Sequence, residues 1–286
     1  MAAGKILPAA GKNERKKQYG MFTERRGPNE ADRSYNRSIL RYGPGICPSA
    51  DSFCPSLDEI WVMARRGKRL ERLAMQSQIP LRIFEGDITK KKIRRALRAA
   101  LLDEKPALRI LVNAAGFGRT GTVAEIAAEE PFIQTDMIDL NCRALTAITE
   151  ICLPFMRKDS RIINLASAAA FCPQPSFAVY AATKAYVLSF SRALHMELKS
   201  KGIYVTAVCP GPVKTEFFDI AESTGVIPLY KRLVMANPKR VVQKAIRDSI
   251  AGREISVYGI TMKAFRLLCK MMPHRLLLAV MSFMND

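Results

Sequence analysis

The sequence predicts an α/β fold, a doubly wound parallel sheet with helices on both faces. Two observations carry this. From Asp58 onward, short apolar runs alternate with longer stretches of helical period. Such alternation argues for parallel strands buried on both faces, joined by crossover helices. Arg65, Asp87, Asn113, Ser167 and Pro210 each stand at the end of a run. Ligands of such sheets bind at the carboxyl ends of the strands.

Each element follows in order. Glu59 to Met63 reads as a strand, with Arg65-Arg66 after it and a basic helix over Gly67 to Gln78. Leu81 to Phe84 is a strand ending Gly86-Asp87-Ile88-Thr89, and Thr89 is placed to cap a helix over Lys90 to Leu102. Leu108 to Val112 is a strand ending Asn113-Ala-Ala-Gly116, followed by a long helix over Pro131 to Met156. Arg161 to Ala166 is a strand ending at Ser167, and Phe177 to Lys199 is a long amphipathic helix. Ile203 to Val208 leads into Cys209-Pro-Gly-Pro-Val-Lys-Thr215, and Glu254 to Tyr258 is a last strand. Residues 58–260 therefore read as one domain and 261–286 as a C-terminal helical segment. Residues 1–57 are rich in Gly, Pro, Arg, Lys and Asn, show no sustained period, and read as irregular.

The 286 residues suit one domain with a full core, or at most two. Seven scattered cysteines, odd in number, form neither a CxxC pair nor a His/Cys cluster. They imply no metal site and no disulfide framework, and they suit a reducing, cytoplasmic compartment. No signal peptide and no bilayer-spanning run is read in the chain. A net charge of +19 suits an anionic partner. The charge is dispersed and no basic motif interleaved with aromatics occurs, so a phosphate-bearing ligand is expected and nucleic acid is not.

The chemistry centres on Ser167, Tyr180 and Lys184. Tyr180 and Lys184 are four apart and share a helix face. A free phenol, with a pKa of roughly 10, is a poor acid at neutral pH. A neighbouring ammonium favours the phenolate. A tuned Tyr exchanges a proton with a carbonyl or an alcohol, and a hydroxyl at Ser167 steadies the developing oxyanion. YxxxK alone is common decoration on helices; Ser167 at a strand end thirteen residues earlier makes it specific.

This arrangement resembles the short-chain dehydrogenase/reductase family over about 200 residues, from Asp58 to Gly259. The resemblance implies a Rossmann-like sheet and hydride transfer between a nicotinamide cofactor and a carbonyl or secondary alcohol. It casts Tyr180 as acid/base, Lys184 as its tuner and ribose ligand, Ser167 as carbonyl polariser and Asn141 as holder of a relay water. It also implies cofactor contacts from Asp87, Ile88, Asn113, Ala115, Gly116, Pro210, Gly211, Val213 and Thr215. Arg65-Arg66, with no acid at this strand end, favours NADP over NAD, because Arg matches a 2′-phosphate bidentately.

The family's TGxxxGxG turn, expected before Asp58, is absent. A G-x-G-x-x-G at Gly116, Gly118 and Gly121 is rejected as the pyrophosphate loop, since it overlaps the segment matching the family's NAAG. Codons for Asn29 to Pro48, read one base forward, permit MKRIVVITGASSGMGREFA, a strand followed by the full fingerprint. A frameshift, with the frame restored between Pro48 and Leu57, is the reading favoured here. The first strand and glycine-rich loop would then be missing or replaced, leaving neighbouring strands with costly unpaired backbone groups. Lys5-Ile-Leu7 or Ile39-Leu40 are the substitutes available for the slot.

Residues 216–240 stand where the resemblance implies a substrate lid, and their apolar side chains suit an apolar substrate. Residues 261–286 combine Leu and Met with Lys263, Arg266, Lys270 and Arg275; a lid or subunit contact is favoured over a peripheral membrane contact. Homo-oligomers through residues 131–156 and 177–199 are implied by the resemblance. A cofactor-poor relic of the family and a basic nucleic-acid or membrane-surface protein are the alternative readings.

Overall fold

In the computed structural model, the sheet has seven parallel strands. The structure describes residues 36–41, 57–213 and 235–283. These belong to one unit, Tyr35–Asp286. In chain order the strands are β1 (Asn36–Arg41), β2 (Glu59–Ala64), β3 (Leu81–Glu85), β4 (Ala107–Asn113), β5 (Met156–Leu165), β6 (Tyr204–Val208) and β7 (Ile255–Ser256). Their spatial order is β3-β2-β1-β4-β5-β6-β7. The chain therefore reverses direction across the sheet between β1 and β4, the switch point at which such sheets bind ligands.

The helices are α1 (Gly67–Gln76), α2 (Lys91–Glu104), α3 (Val123–Glu129), α4 (Ile133–Ile138), α5 (Leu145–Cys152), α6 (Ala178–Lys199), α7 (Pro238–Ile250), α8 (Ile260–Met271) and α9 (His274–Phe283). One core layer gathers Trp61, Met63, Leu108, Leu111 and Ile162 with Leu97, Leu101, Ile148 and Leu194. The other holds Ile60, Val62, Val112, Ile163 and Val208 against Leu70, Leu73 and Ala245. Alternate residues of the same strands thus face opposite layers, which is why their sequences are apolar throughout. Each fully buried side chain of this size contributes on the order of 2 kcal/mol.

The central slot is filled. Ile39 pairs with Trp61 of β2 and with Leu111 of β4, and Leu40 pairs with Val62 and Val112. The unpaired backbone expected beside a missing strand is therefore not found. Ile39-Leu40, one of the two substitutes read from the sequence, lies in β1, inside the stretch read as irregular.

Several local expectations change. Thr89 does not cap α2: its hydroxyl and N–H both donate to Asp87 Oδ1 at 2.9 Å, closing a turn, and the helix starts at Lys91. The long helix expected over Pro131 to Met156 is broken into α4, a π-helical turn over Asp139–Ala144, and α5. Pro154 lies in the short 3-10 turn that ends it. His195 is buried with Nδ1 2.8 Å from the Val205 carbonyl. It ties α6 to β6.

Candidate active site

Strand β5 and helix α6 build the site. β5 ends at Leu165, and Ser167 caps the 3-10 turn Ala168–Phe171 by accepting a hydrogen bond from the Ala169 N–H at 3.1 Å. The Ala168 N–H donates to the Pro210 carbonyl at 2.8 Å, which fastens the Ser167 turn to the segment after β6. Helix α6 presents Tyr180 and Lys184 on the face turned toward this turn, both buried. Tyr180 and Ser167 are hydrogen-bonded through their side chains. Phe177 stacks on Tyr180 with ring centroids 4.2 Å apart, and Met137, Ala169 and Ala181 complete the apolar wall.

Burial pushes the Tyr180 phenol up to about 12, and the Ser167 hydrogen bond pulls in the opposite direction. The Lys184 ammonium lies 5.6 Å from the Tyr180 ring centroid and donates to the Leu165 carbonyl at 2.7 Å. Desolvation outweighs the Ser167 contribution and holds Tyr180 protonated. Lys184 braces α6 against the end of β5.

Asn141 sits in the π-helical turn, whose extra residue per turn is a feature common at functional sites. Its carboxamide grips Phe117 twice, accepting from the N–H at 3.1 Å and donating to the carbonyl at 3.0 Å. Its other Nδ2 hydrogen goes to the Thr183 hydroxyl at 3.0 Å. Thr183 in turn donates to the Tyr180 carbonyl at 2.8 Å. Asn141 therefore clamps the loop after β4 onto α6. Gly116 lies directly over this clamp: a Cβ there would come 2.7 Å from Asn141 Oδ1 and 3.3 Å from Lys184 Nζ. That close approach brings Gly116, Asn141 and Lys184 together.

Other predicted residues are placed differently. Asn113 is buried and donates from Nδ2 to Thr149 Oγ1 at 3.1 Å and to Asn164 Oδ1 at 2.9 Å. Asn164 continues the chain to Ser191 at 2.9 Å. This network staples β4, β5 and α6 beneath the site, and it uses both Nδ2 hydrogens of Asn113 inside the protein. Ile88 is buried in the core. Ala115 is half-buried beside Gly116. Arg65 and Arg66 are exposed at the end of β2, where Arg66 precedes α1. Burial raises the Asp87 carboxyl, but the Thr89 hydrogen bonds and the charges of Arg65 and Lys90 bring it below its ordinary value. Gly211 packs beneath α8, where a Cβ would fall 2.7 Å from Met262 Cγ, and Val213 bridges to Ala236. Thr215 and residues 216–234 of the expected lid lie outside the described residues, as do residues 42–56 after β1.

The rejected G-x-G-x-x-G leads into a self-capped helix. Thr122 and Glu125 form a capping box at the start of α3, with the Glu125 carboxylate accepting the Thr122 N–H at 2.8 Å. The Gly121 N–H donates to the Ser176 carbonyl at 2.8 Å. The contributions of Thr183, Phe177 and the Leu165 carbonyl were missed from sequence. Thr183 stands within Tyr180-Ala-Ala-Thr-Lys184, but nothing in that spacing signals its partner on another helix.

Comparison with known proteins agrees with this geometry. A family model described as short chain dehydrogenase matches residues 52–224. An uncharacterised oxidoreductase of Staphylococcus epidermidis is 32% identical over 158 residues, covering 54% of this chain and 67% of that protein. A solved short-chain dehydrogenase from Sphingobium yanoikuyae, in complex with NADPH, has a TM-score of 0.66 at 24% identity, covering 88% of this chain and 96% of its own. A short chain dehydrogenase/reductase from Burkholderia phymatum, in complex with NAD, has a TM-score of 0.68 at 17% identity, covering 82% and 93%. With most of the described sheet and the Ser167–Tyr180–Lys184 cluster inside the matched span, the chain belongs to the short-chain dehydrogenase family.

Proposed function

We propose that the chain is built to reduce the carbonyl of an apolar small molecule, or to oxidise the matching alcohol, with NADP(H) as hydride carrier. The observation that carries this is the pairing of the Ser167 side chain with the buried Tyr180 phenol beside buried Lys184. Tyr180, protonated at neutral pH, stands as the proton donor for carbonyl reduction. Tyr180 gives its proton to the substrate oxygen as negative charge builds there. Ser167 hydrogen-bonds the same oxygen. Lys184 holds α6 at the end of β5 and supplies a positive field at the phenolate left behind. Asn141 keeps the Gly116 loop and α6 in register and is the candidate anchor for a relay water. The bound nicotinamide would supply or accept the hydride. Arg65 and Arg66, exposed at the end of β2, favour a 2′-phosphate and hence NADP.

A second reading rests on one specific observation, the absence of TGxxxGxG from the sequence. The catalytic half is then intact while the pyrophosphate cradle is lost, and the chain as written is a frame-damaged relic. Titration with NADPH, followed by nicotinamide fluorescence, separates the two readings. Tight binding by the chain as written, together with hydride transfer, supports the active enzyme. Binding only after the shifted frame is restored supports the relic. Resequencing that finds an intact frame, with no shifted alternative over residues 29–47, would sink the frameshift.

A further inference from the structure

Helix α8 has two apolar faces, and only one is covered. Its inner face carries Met262, Phe265 and Cys269. Met262 lies against Gly211. Phe265 meets Phe171, ring centroids 6.3 Å apart, and Cys269 is buried with Cys172 and Leu277. The helix is thereby seated on the turn that follows Ser167. The opposite face carries Ile260, Ala264, Leu267, Leu268 and Met271, which recur at helical spacing and are all exposed. Ile260 is 85% exposed, Met271 74% and Leu267 57%, and Leu276 of α9 adds another apolar side chain nearby in sequence. A solvated surface helix has no physical reason to line its outer face in this way.

Charge decides what covers the stripe. Lys263, Arg266 and Lys270 are exposed on α8, and Arg275 is exposed on α9. No Asp or Glu occurs from Ile260 to Phe283. Helical geometry puts the three α8 cations together along one side of the apolar stripe. A second copy docked on the stripe would bring two such cationic rows together, with no acid on this face to answer them. An anionic lipid surface answers both features. Its acyl boundary takes the apolar stripe and its headgroups take the cations, the two signals that hold an interfacial helix. No described helix is long and apolar enough to cross a membrane, so the mode is surface docking.

We infer that α8 docks this protein on anionic membrane surfaces through Ile260, Leu267, Leu268 and Met271, with Lys263, Arg266 and Lys270 reading the headgroups. The inference is independent of the catalytic reading, because the inner face of α8 stays on the protein.

Co-sedimentation of the full chain with lipid vesicles tests it. Vesicles of phosphatidylcholine alone are compared with vesicles that also contain phosphatidylserine. The full chain partitions to the anionic vesicles, and the apolar contribution persists as salt is raised. Leu267→Gln with Met271→Gln lowers that partition about a hundredfold. Lys263→Gln, Arg266→Gln and Lys270→Gln together do the same, about fivefold for each cation. Both variants keep the parent melting temperature, since every position changed is exposed. Two outcomes overturn the inference. If the Leu267/Met271 variant binds as the parent does, overall charge alone holds the protein to lipid. If the parent sediments as an oligomer that this variant dissolves, a second copy covers the stripe.

Discussion

Strands β1 and β5 lie in the same sheet on either side of β4, yet their sequences differ in kind. β5 closes on Ile162, Ile163, Asn164 and Leu165, and every polar group there has a purpose: Asn164 joins the buried network and the Leu165 carbonyl receives Lys184. β1 reads Asn-Arg-Ser-Ile-Leu-Arg, with two apolar residues in the central slot of a parallel sheet. Central strands normally carry near-continuous apolar runs. The comparison separates backbone from side chain. Ladder pairing fills the slot with whatever extended segment is available, because unpaired neighbours are costly. It does not rebuild a phosphate loop, which depends on particular glycines.

The largest expected effect tests that difference directly. Replacing residues 29–47 with the shifted-frame sequence should tighten NADPH binding about a thousandfold, the worth of two or three charge-assisted backbone hydrogen bonds. Equal affinity in fluorescence titration would show that the present N-terminal segment already supplies a phosphate site. On the catalytic side, Tyr180→Phe in whichever chain binds cofactor should lower kcat roughly a hundredfold to ten-thousandfold while leaving NADPH affinity nearly unchanged.

The backbone claim for β1 can be broken by Ile39→Pro. Its N–H and carbonyl lie between two strands in the ladder. Proline there should cost about 3 kcal/mol in urea unfolding, whereas a change within experimental error would remove β1 from the sheet. Gly116→Ala should cost a smaller amount, about 1 to 3 kcal/mol, because its Cβ must displace Asn141 and leave the Phe117 groups unmatched.

The last expected effect is in pH dependence. Tyr180 is raised from 10 to about 12 by burial. The unfolded chain ionises this phenol near pH 10 while the folded chain keeps the proton. Its contribution to stability is thus complete below pH 10 and is lost as pH rises toward 12, by at most about 1.4 kcal/mol per pH unit. Tyr180→Phe should flatten the stability curve in that window relative to the parent. An unchanged slope would mean that the phenol is not desolvated.

The sequence by itself determined the fold class and singled out the candidate trio Ser167, Tyr180 and Lys184. Strand–helix alternation and fixed spacing along one helix or one strand end are local properties, and local geometry preserves them. It also located the gap, since a glycine fingerprint is either written in the chain or absent. Only the tertiary structure decided what each polar group does. Asn113 and Asn141 could both be named, but their carboxamides are spent on partners 36 to 51 and 24 to 42 residues away. His195 became a core residue because β6 covers it, and Tyr180 became a weaker acid because desolvation outweighs its neighbours. The two faces of α8 are equally apolar in sequence. Period tells which residues share a face, but only packing against Phe171 and Gly211 tells which face is left for a partner.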